Sequence, residues 1–291
     1  AAAIPFAILT RMPLQPMQSR NVAPLFAGLH RELIATLRQL DAAAWNRPTV
    51  AGEWRVRDVA GHLLDGDLRN LSAHRDSHLL APDSPPRTYE DVVALINSLN
   101  ASGVSYAARL SPQLLVALLD VTGRWVSEFI EALDPFAPAL FPVAWAGEME
   151  SQNWMDTGRE YTERWHHQMQ IRDAVGAPLL LSDEWYEPLL DFSVRALPRA
   201  YRDVAAPDGT ALTLNVGGDD ALAWSIVRHE DGWRLYQGYS SDAAATVRIS
   251  RDHAWRLFYN AMKGEEAAAA MEVSGDHALA AHLLAVRSVM V

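Results

Sequence analysis

The sequence contains no cysteine. This absence excludes disulfide bonds, zinc sites built from cysteine thiolates and a cysteine nucleophile. It fits a reducing compartment, and we expect the protein in the cytoplasm. Any thiol chemistry that this protein carries out must use sulfur supplied by a small molecule.

Basic charge and long apolar runs are also scarce. The chain has 25 basic against 36 acidic residues, a net charge of −11, and its basic residues are scattered, which argues against a nucleic-acid or membrane partner. No segment reaches the run of about 18 uncharged apolar residues that a membrane helix needs. The apolar N-terminus is broken by Pro5 and has no basic residue before it, so residues 1–18 are predicted to be a leader or disordered segment.

The remaining pattern predicts two domains, in agreement with the length of 291 residues. Apolar residues recur at three- and four-residue spacing up to Pro178, which predicts an up-down helical bundle over residues 19–178. Short β-like runs separated by turns follow it, which predicts a small α+β domain over residues 179–291. The predicted fold class is therefore mixed, a helical bundle followed by an α+β domain.

Local signals fix several element ends. Ser111-Pro112 predicts the beginning of a helix, because serine caps the first turn and proline fits the first helical position. Gly176, followed by Pro178, predicts the end of another helix. Asp231-Gly232 between two β-like runs predicts a hairpin turn.

Two residues of one predicted helix have the spacing of metal ligands. Glu163 and His167 are four apart, so they project from the same face, one turn above the other. His62 lies on the inward edge of another predicted helix and is a candidate third ligand. Two histidines and one glutamate leave coordination positions open, as in catalytic zinc sites. The alternative is that Glu163 and His167 form an ordinary contact on a helix surface.

Two neighbours are candidates for supporting such ligands. Asp65 follows His62 by three residues on the same helix face, where it can accept a hydrogen bond from an imidazole or simply be solvated. His166 points about 100° away from His167. We interpret it as a packing or outer-shell residue.

The motifs around these residues resemble a known family. The segment W-x-x-P-T-V-A-G-E-W-R-V-R-D-V-A-G-H-L, from Trp45 to Leu63, is similar to the first signature of the DinB-like superfamily and, more narrowly, of the mycothiol-dependent maleylpyruvate isomerase group. The second signature, E-x-x-x-H followed nine residues later by glycine, matches Glu163, His167 and Gly176. The resemblance implies that His62, Glu163 and His167 bind a divalent metal, expected to be zinc, in a DinB-like bundle.

The later part of the chain resembles a sterol-carrier-like domain, through its order of strands and helices and the V-x-G-D turn that ends at Asp276. The family resemblance implies a catalytic arginine in this domain. The comparable stretch here has Lys263 instead, so Lys263 and Arg256 are the candidates for holding a substrate carboxylate. The chain also has Met169 and Gln170 where family members carry an acidic residue.

Together these features predict a metal-dependent isomerase or transferase that uses a low-molecular-weight thiol, mycothiol or a similar molecule, and a small electrophilic substrate. Two alternatives stay open at this stage. The chain can be a non-enzymatic protein that binds a small apolar ligand, with a structural metal or none. It can also be a metal-dependent hydrolase that uses water instead of thiol. The sequence leaves the oligomeric state undetermined.

Overall fold

The computed structural model of the chain describes residues 12–79, 82, 84–218 and 222–289. Their contacts group them into two compact units. Within the described ranges, the helical unit consists of residues 19–196, 255–262 and 287–289, and the sheet unit consists of residues 12–18, 197–254 and 263–286. The predicted fold class, helices first and an α+β part second, is confirmed.

The helical unit is built from long amphipathic helices. In chain order they are α1 (Phe26–Arg38), α2 (Val56–Asn70), α3 (Tyr89–Ala107), α4 (Pro112–Glu131), α5 (Asn153–Val175) and α6 (Asp183–Ser193). Helix α2 packs against α3, α4 and α5, and α1 packs against α4 and α5. None of the helices in the described ranges is both long enough and apolar enough to cross a membrane.

The ends of two helices follow the predicted signals. Helix α4 begins with Pro112, and the Ser111 hydroxyl accepts a hydrogen bond from the backbone of Leu114. Helix α5 ends before Gly176, which has a left-handed backbone with φ of 70°. Glycine adopts this conformation without the steric cost that a side chain adds. These caps mark the beginning of α4 and the end of α5, which is the longest helix in the described ranges.

The core of the helical unit brings α2 and α5 together. Val59 and Leu63 of α2 are buried in one hydrophobic cluster with Ile171 of α5. Side chains three or four residues from these positions share the same helix faces. His62 and His167 stand at such positions, so the packing of apolar neighbours determines that they face each other.

The sheet unit holds a six-stranded sheet with strand order β1-β4-β3-β2-β5-β6 in its described part. The strands are β1 (Gln15–Pro16), β2 (Ala211–Val216), β3 (Ala223–His229), β4 (Gly232–Gln237), β5 (Ala245–Ile249) and β6 (Met271–Gly275). Strands β2 and β5 pair in parallel, and the other pairs are antiparallel. The remaining α-helices of the described ranges are α7 (Leu197–Tyr201), α8 (Arg251–Phe258), α9 (Glu265–Ala269) and α10 (His277–Ala281). The predicted hairpin between β3 and β4 is confirmed, and its turn is Glu230-Asp231, because Gly232 already pairs with His229 as the first residue of β4.

The structure differs from the predicted division of the chain at two places. Within the predicted leader 1–18, residues 1–11 lie outside the described residues, whereas Gln15–Pro16 pairs with β4 as an edge strand. Residues 179–196 pack with the helical unit rather than with the sheet unit. A folding boundary at residue 178 stays a prediction.

One glycine of α5 allows α6 to pack closely. A Cβ atom at Gly158 would overlap the ring of Phe192. We therefore expect Gly158→Ala to lower the free energy of unfolding by about 1–3 kcal/mol through overpacking. Urea denaturation would measure this loss.

Gly66 on α2 is a matched control, because a Cβ atom there meets nothing within 4 Å. Gly66→Ala is expected to raise the free energy of unfolding by up to about 1 kcal/mol, since alanine is the better helix former. Equal effects of the two substitutions would contradict the packing argument.

Candidate metal centre

Helix α5 presents Glu163 and His167 toward the core of the helical unit. His167 Nε2 lies 3.4 Å from Glu163 Oε2. The His167 side chain is buried, and that of Glu163 is 27% exposed. The two residues thus form a contact inside the bundle, and the alternative of a contact on a solvated helix surface is not what the structure shows.

Helix α2 brings His62 to the same place. The ring centroids of His62 and His167 are 4.5 Å apart, in an edge-to-face arrangement. One potential ligand atom from each of His62, Glu163 and His167 lies within 4.8 Å of the others. The structure therefore brings together the three residues that the sequence singled out.

The state of His62 fits a ligand role. Its Nδ1 atom is buried and has no hydrogen-bond partner among the described residues. Burial, followed by the neighbouring His167, lowers the pKa of His62 well below its usual value, so the ring is neutral at physiological pH. A neutral imidazole with an unsatisfied nitrogen is the form that binds a metal ion.

Glu163 supplies the negative charge of the cluster. Burial alone would raise the pKa of this carboxyl group. The neighbouring side chains of His167, His166 and Arg159 outweigh burial and hold the pKa of Glu163 well below the usual range. The cluster combines an ionised carboxylate with imidazole donors, and this donor set suits a divalent cation such as zinc.

Two further side chains, Gln170 and Trp54, contact residues of the cluster. His167 Nδ1 lies 2.8 Å from Gln170 Oε1, and Gln170 is buried. The Trp54 ring lies 5.0 Å from the His62 ring and 6.3 Å from the His167 ring, measured between centroids. The sequence reasoning missed both contacts. The i, i+3 spacing of His167 and Gln170 on one helix was the available signal for the first.

The comparison with protein families identifies the family of this chain. The family model described as the mycothiol maleylpyruvate isomerase N-terminal domain matches residues 26–172, just over half of the chain. The chain belongs to this family. The matched range contains His62, Glu163 and His167, and the predicted family resemblance is confirmed.

Two solved structures are similar to that of this family member. A mutant of the mycothiol-dependent maleylpyruvate isomerase has a TM-score of 0.51 and 15% sequence identity, over 87% of this chain and 91% of that chain. Another structure of the mycothiol-dependent maleylpyruvate isomerase has a TM-score of 0.50 and 16% identity, over 81% and 86% of the two chains. At these identities the similarity establishes the fold. A sequence comparison with curated proteins gives no match.

In this member of the isomerase family, His166 packs against a ligand candidate. Its Nδ1 donates a hydrogen bond to the Thr162 carbonyl oxygen at 2.8 Å. The His166 ring lies 3.9 Å from that of His167 and stacks on that of Tyr259 at 4.6 Å. Burial lowers the pKa of His166 to about 3, so the ring is neutral. It is thus a packing neighbour of His167.

Asp65, the candidate acceptor for the His62 imidazole, pairs with an arginine of its own helix. Its carboxylate pairs with Arg69, one helical turn further along α2, at 2.8 Å. A Cβ atom on Gly103 would overlap the Asp65 side chain, so Asp65 points toward α3. In the structure the carboxylate of Asp65 thus pairs with Arg69, and a supporting role of Asp65 for His62 stays a prediction.

The two candidates for substrate binding have different surroundings. Arg256 Nη2 lies 2.7 Å from Asp173 Oδ1, and its guanidinium group lies 4.6 Å from the centre of the Trp255 ring. Asp173 is on α5, six residues beyond His167. Lys263 is exposed and belongs to the sheet unit. A catalytic role for either residue stays a prediction.

Proposed function

We propose that this chain is a metal-dependent enzyme that uses a low-molecular-weight thiol, mycothiol or a similar molecule, to isomerise or conjugate a small electrophile. The observation that carries the proposal is the cluster of His62, Glu163 and His167 within a chain of the isomerase family. Zinc is the metal that we propose, because two imidazoles and one carboxylate are a common catalytic zinc set.

The roles that we propose for the ligands, the cation and the thiol follow from the charges of the site. His62 and His167 bind as neutral groups and Glu163 as an anion, so the protein neutralises only part of the charge of a divalent cation. The cation supplies the positive charge that keeps a bound thiol deprotonated at neutral pH. The chain has no cysteine, so the sulfur must belong to the cosubstrate.

Trp54 gives the proposed site an apolar side. Its ring lies against both imidazoles and is partly buried itself. An apolar wall lowers the local dielectric and strengthens the electrostatic interactions of a bound anion. In the proposed role, Trp54 excludes water from the side of the site on which the rings meet.

The proposed reaction is an addition of the thiolate to a conjugated double bond. The sulfur forms a bond to carbon, and the electron pair of the double bond moves to the adjacent carbonyl group. Rotation about the resulting single bond and loss of the thiolate would give an isomer, whereas protonation of the adduct would leave a conjugate. Arg256 and Lys263 are the residues that we propose for holding a substrate carboxylate.

The test combines metal removal with thiol omission. The protein is purified without a histidine tag, its metal content is measured, and turnover of maleylpyruvate and other electrophiles is assayed with mycothiol, bacillithiol or glutathione. We expect about one divalent metal ion per chain. Turnover is expected to fall to background after chelation or without thiol, and to return when zinc is added back.

The other outcomes identify the competing functions. Turnover that needs the metal but no thiol would replace the proposal with a hydrolase. A preparation that binds no metal and turns over no substrate would replace it with a non-enzymatic ligand-binding protein.

A further inference from the structure

Gln170 contacts one of the proposed metal ligands from the side opposite to Glu163. Its Oε1 atom lies 2.8 Å from His167 Nδ1, whereas Glu163 Oε2 lies 3.4 Å from His167 Nε2. Gln170 is 4% exposed, so water does not compete freely for this contact. The two ring nitrogens of His167 therefore have separate and defined partners.

The contact bears on whether His167 can act as a ligand. A neutral imidazole carries its proton on one nitrogen and a lone pair on the other. Nε2 faces Glu163, so it must have the lone pair if His167 is to bind a cation there, and the proton must then be on Nδ1. A buried Nδ1–H group needs an acceptor, because leaving it unsatisfied costs about 1–3 kcal/mol.

We infer that Gln170 is a positioning residue of the proposed metal centre. Its amide oxygen accepts the Nδ1–H of His167 and so holds the ring in the tautomer whose Nε2 lone pair points into the cluster. Gln170 also restrains the direction of the ring, and it does so without a second negative charge next to the site. This inference rests on the proposed function, since it assumes that His167 binds a cation.

Gln168 on the same helix is a matched control. It is 1% exposed and thus buried like Gln170. Its side chain donates to the Leu29 carbonyl oxygen at 3.1 Å and accepts a hydrogen bond from Arg172 at 3.2 Å. Replacing Gln168 with leucine removes buried hydrogen bonds from α5 without removing one from the proposed ligands.

The test is zinc affinity, measured on the full chain by competition with a chromophoric chelator. We expect Gln170→Leu to weaken zinc binding by about 10- to 100-fold, the usual effect of losing an outer-shell partner. Gln170→Glu keeps an acceptor at the same position, and we expect it to bind zinc at least tenfold more tightly than Gln170→Leu does. Gln168→Leu is expected to lower thermal stability and leave zinc affinity unchanged.

A second measurement does not depend on the value of the zinc affinity. Nitrogen-15 NMR of the zinc-loaded protein, with His167 assigned through a His167 variant, reports the Nδ1–H group and its exchange with solvent. We expect slow exchange of this proton in the wild-type protein and in Gln168→Leu, and faster exchange in Gln170→Leu. This readout separates the hydrogen bond to Gln170 from a general loss of packing.

The results distinguish the inference from the function on which it rests. Zinc affinity of Gln170→Leu equal to that of the wild type would overturn the positioning role while leaving the proposed function intact. Equal losses in Gln170→Glu and Gln170→Leu would also overturn it, because the acceptor would then be irrelevant. A wild-type protein that binds no zinc would overturn both.

Discussion

Replacing His62 with alanine is expected to weaken zinc binding by more than about 100-fold, because a direct ligand must contribute more than the 10- to 100-fold of an outer-shell partner. His62 is the contribution of α2 to a cluster whose other two members lie on α5. Without it, the cation would keep two protein ligands one helical turn apart. Equilibrium competition with a chelator measures the loss, and His167→Ala is expected to behave in the same way.

His78 provides the control for this prediction. It is exposed and lies in the same helical unit, eight residues after the end of α2 at Asn70. His78→Ala removes an imidazole from the chain and is expected to leave zinc affinity unchanged. A similar loss in all three alanine variants would show that zinc binds histidines unspecifically, and full affinity in His62→Ala would remove α2 from the site.

Asp67→Ala is expected to lower the free energy of unfolding by about 3 kcal/mol, the lower end of the range for breaking a buried ion pair, because Arg164 keeps Glu160 as a second partner at 3.0 Å. Asp67 is 1% exposed and forms a salt bridge with Arg164, whose side chain is 9% exposed. Asp67 also accepts a hydrogen bond from the Thr122 hydroxyl at 2.6 Å. The substitution would therefore leave both a guanidinium group and a hydroxyl group in the core with fewer partners. Chemical denaturation followed by circular dichroism measures the change.

Asp120→Ala is the matched substitution at a solvated ion pair. Asp120 lies 3.1 Å from Arg38, and the two side chains are 32% and 61% exposed. We expect Asp120→Ala to cost less than about 1 kcal/mol, as is usual for surface pairs. Equal losses in Asp67→Ala and Asp120→Ala would show that burial does not determine the contribution of the Asp67 salt bridge.

The helices were predictable where a local signal acts through the backbone. Proline at position 112 fixes φ at a helical value, and glycine at position 176 permits a left-handed φ, whatever the rest of the fold is. Helix α4 begins at Pro112, and α5 ends just before Gly176. Helix α2 shows the limit of such signals. Helix α2 ends at Asn70 and continues as a π-helix over Leu71–Arg75. No capping residue marks this change in hydrogen bonding.

Within the candidate site, residue spacing predicted which side chains share one face of a helix. Glu163 and His167 followed from the four-residue spacing, and His62 followed from its place beside buried apolar residues. The Trp54 contact could not be predicted in this way. It depends on the path of the loop before α2, where the backbone oxygen of Trp54 accepts hydrogen bonds from the Thr49 amide and hydroxyl groups.

Charged residues were the least predictable part of the fold. On average an aspartate is exposed, so the sequence offers no reason to place Asp67 in the core and Asp65 against an arginine of its own helix. Tertiary packing determines the outcome, since Arg164 of α5 approaches Asp67, whereas Arg69 reaches Asp65. Two aspartates two residues apart thus have different partners.

The helical unit takes in residues 255–262, which follow β5 in the chain. There the Trp255 ring lies 6.3 Å from that of Trp165, and the Tyr259 hydroxyl lies 2.7 Å from the Ser193 hydroxyl. The bundle therefore cannot be excised at a single peptide bond. A fragment that stops at residue 196 would lack Trp255 and Tyr259. Trp165 and His166, which lie next to the proposed ligands, would then lose their aromatic contacts with these two residues. Chimeras that exchange the first half of the chain between relatives would have to carry this distal segment with them.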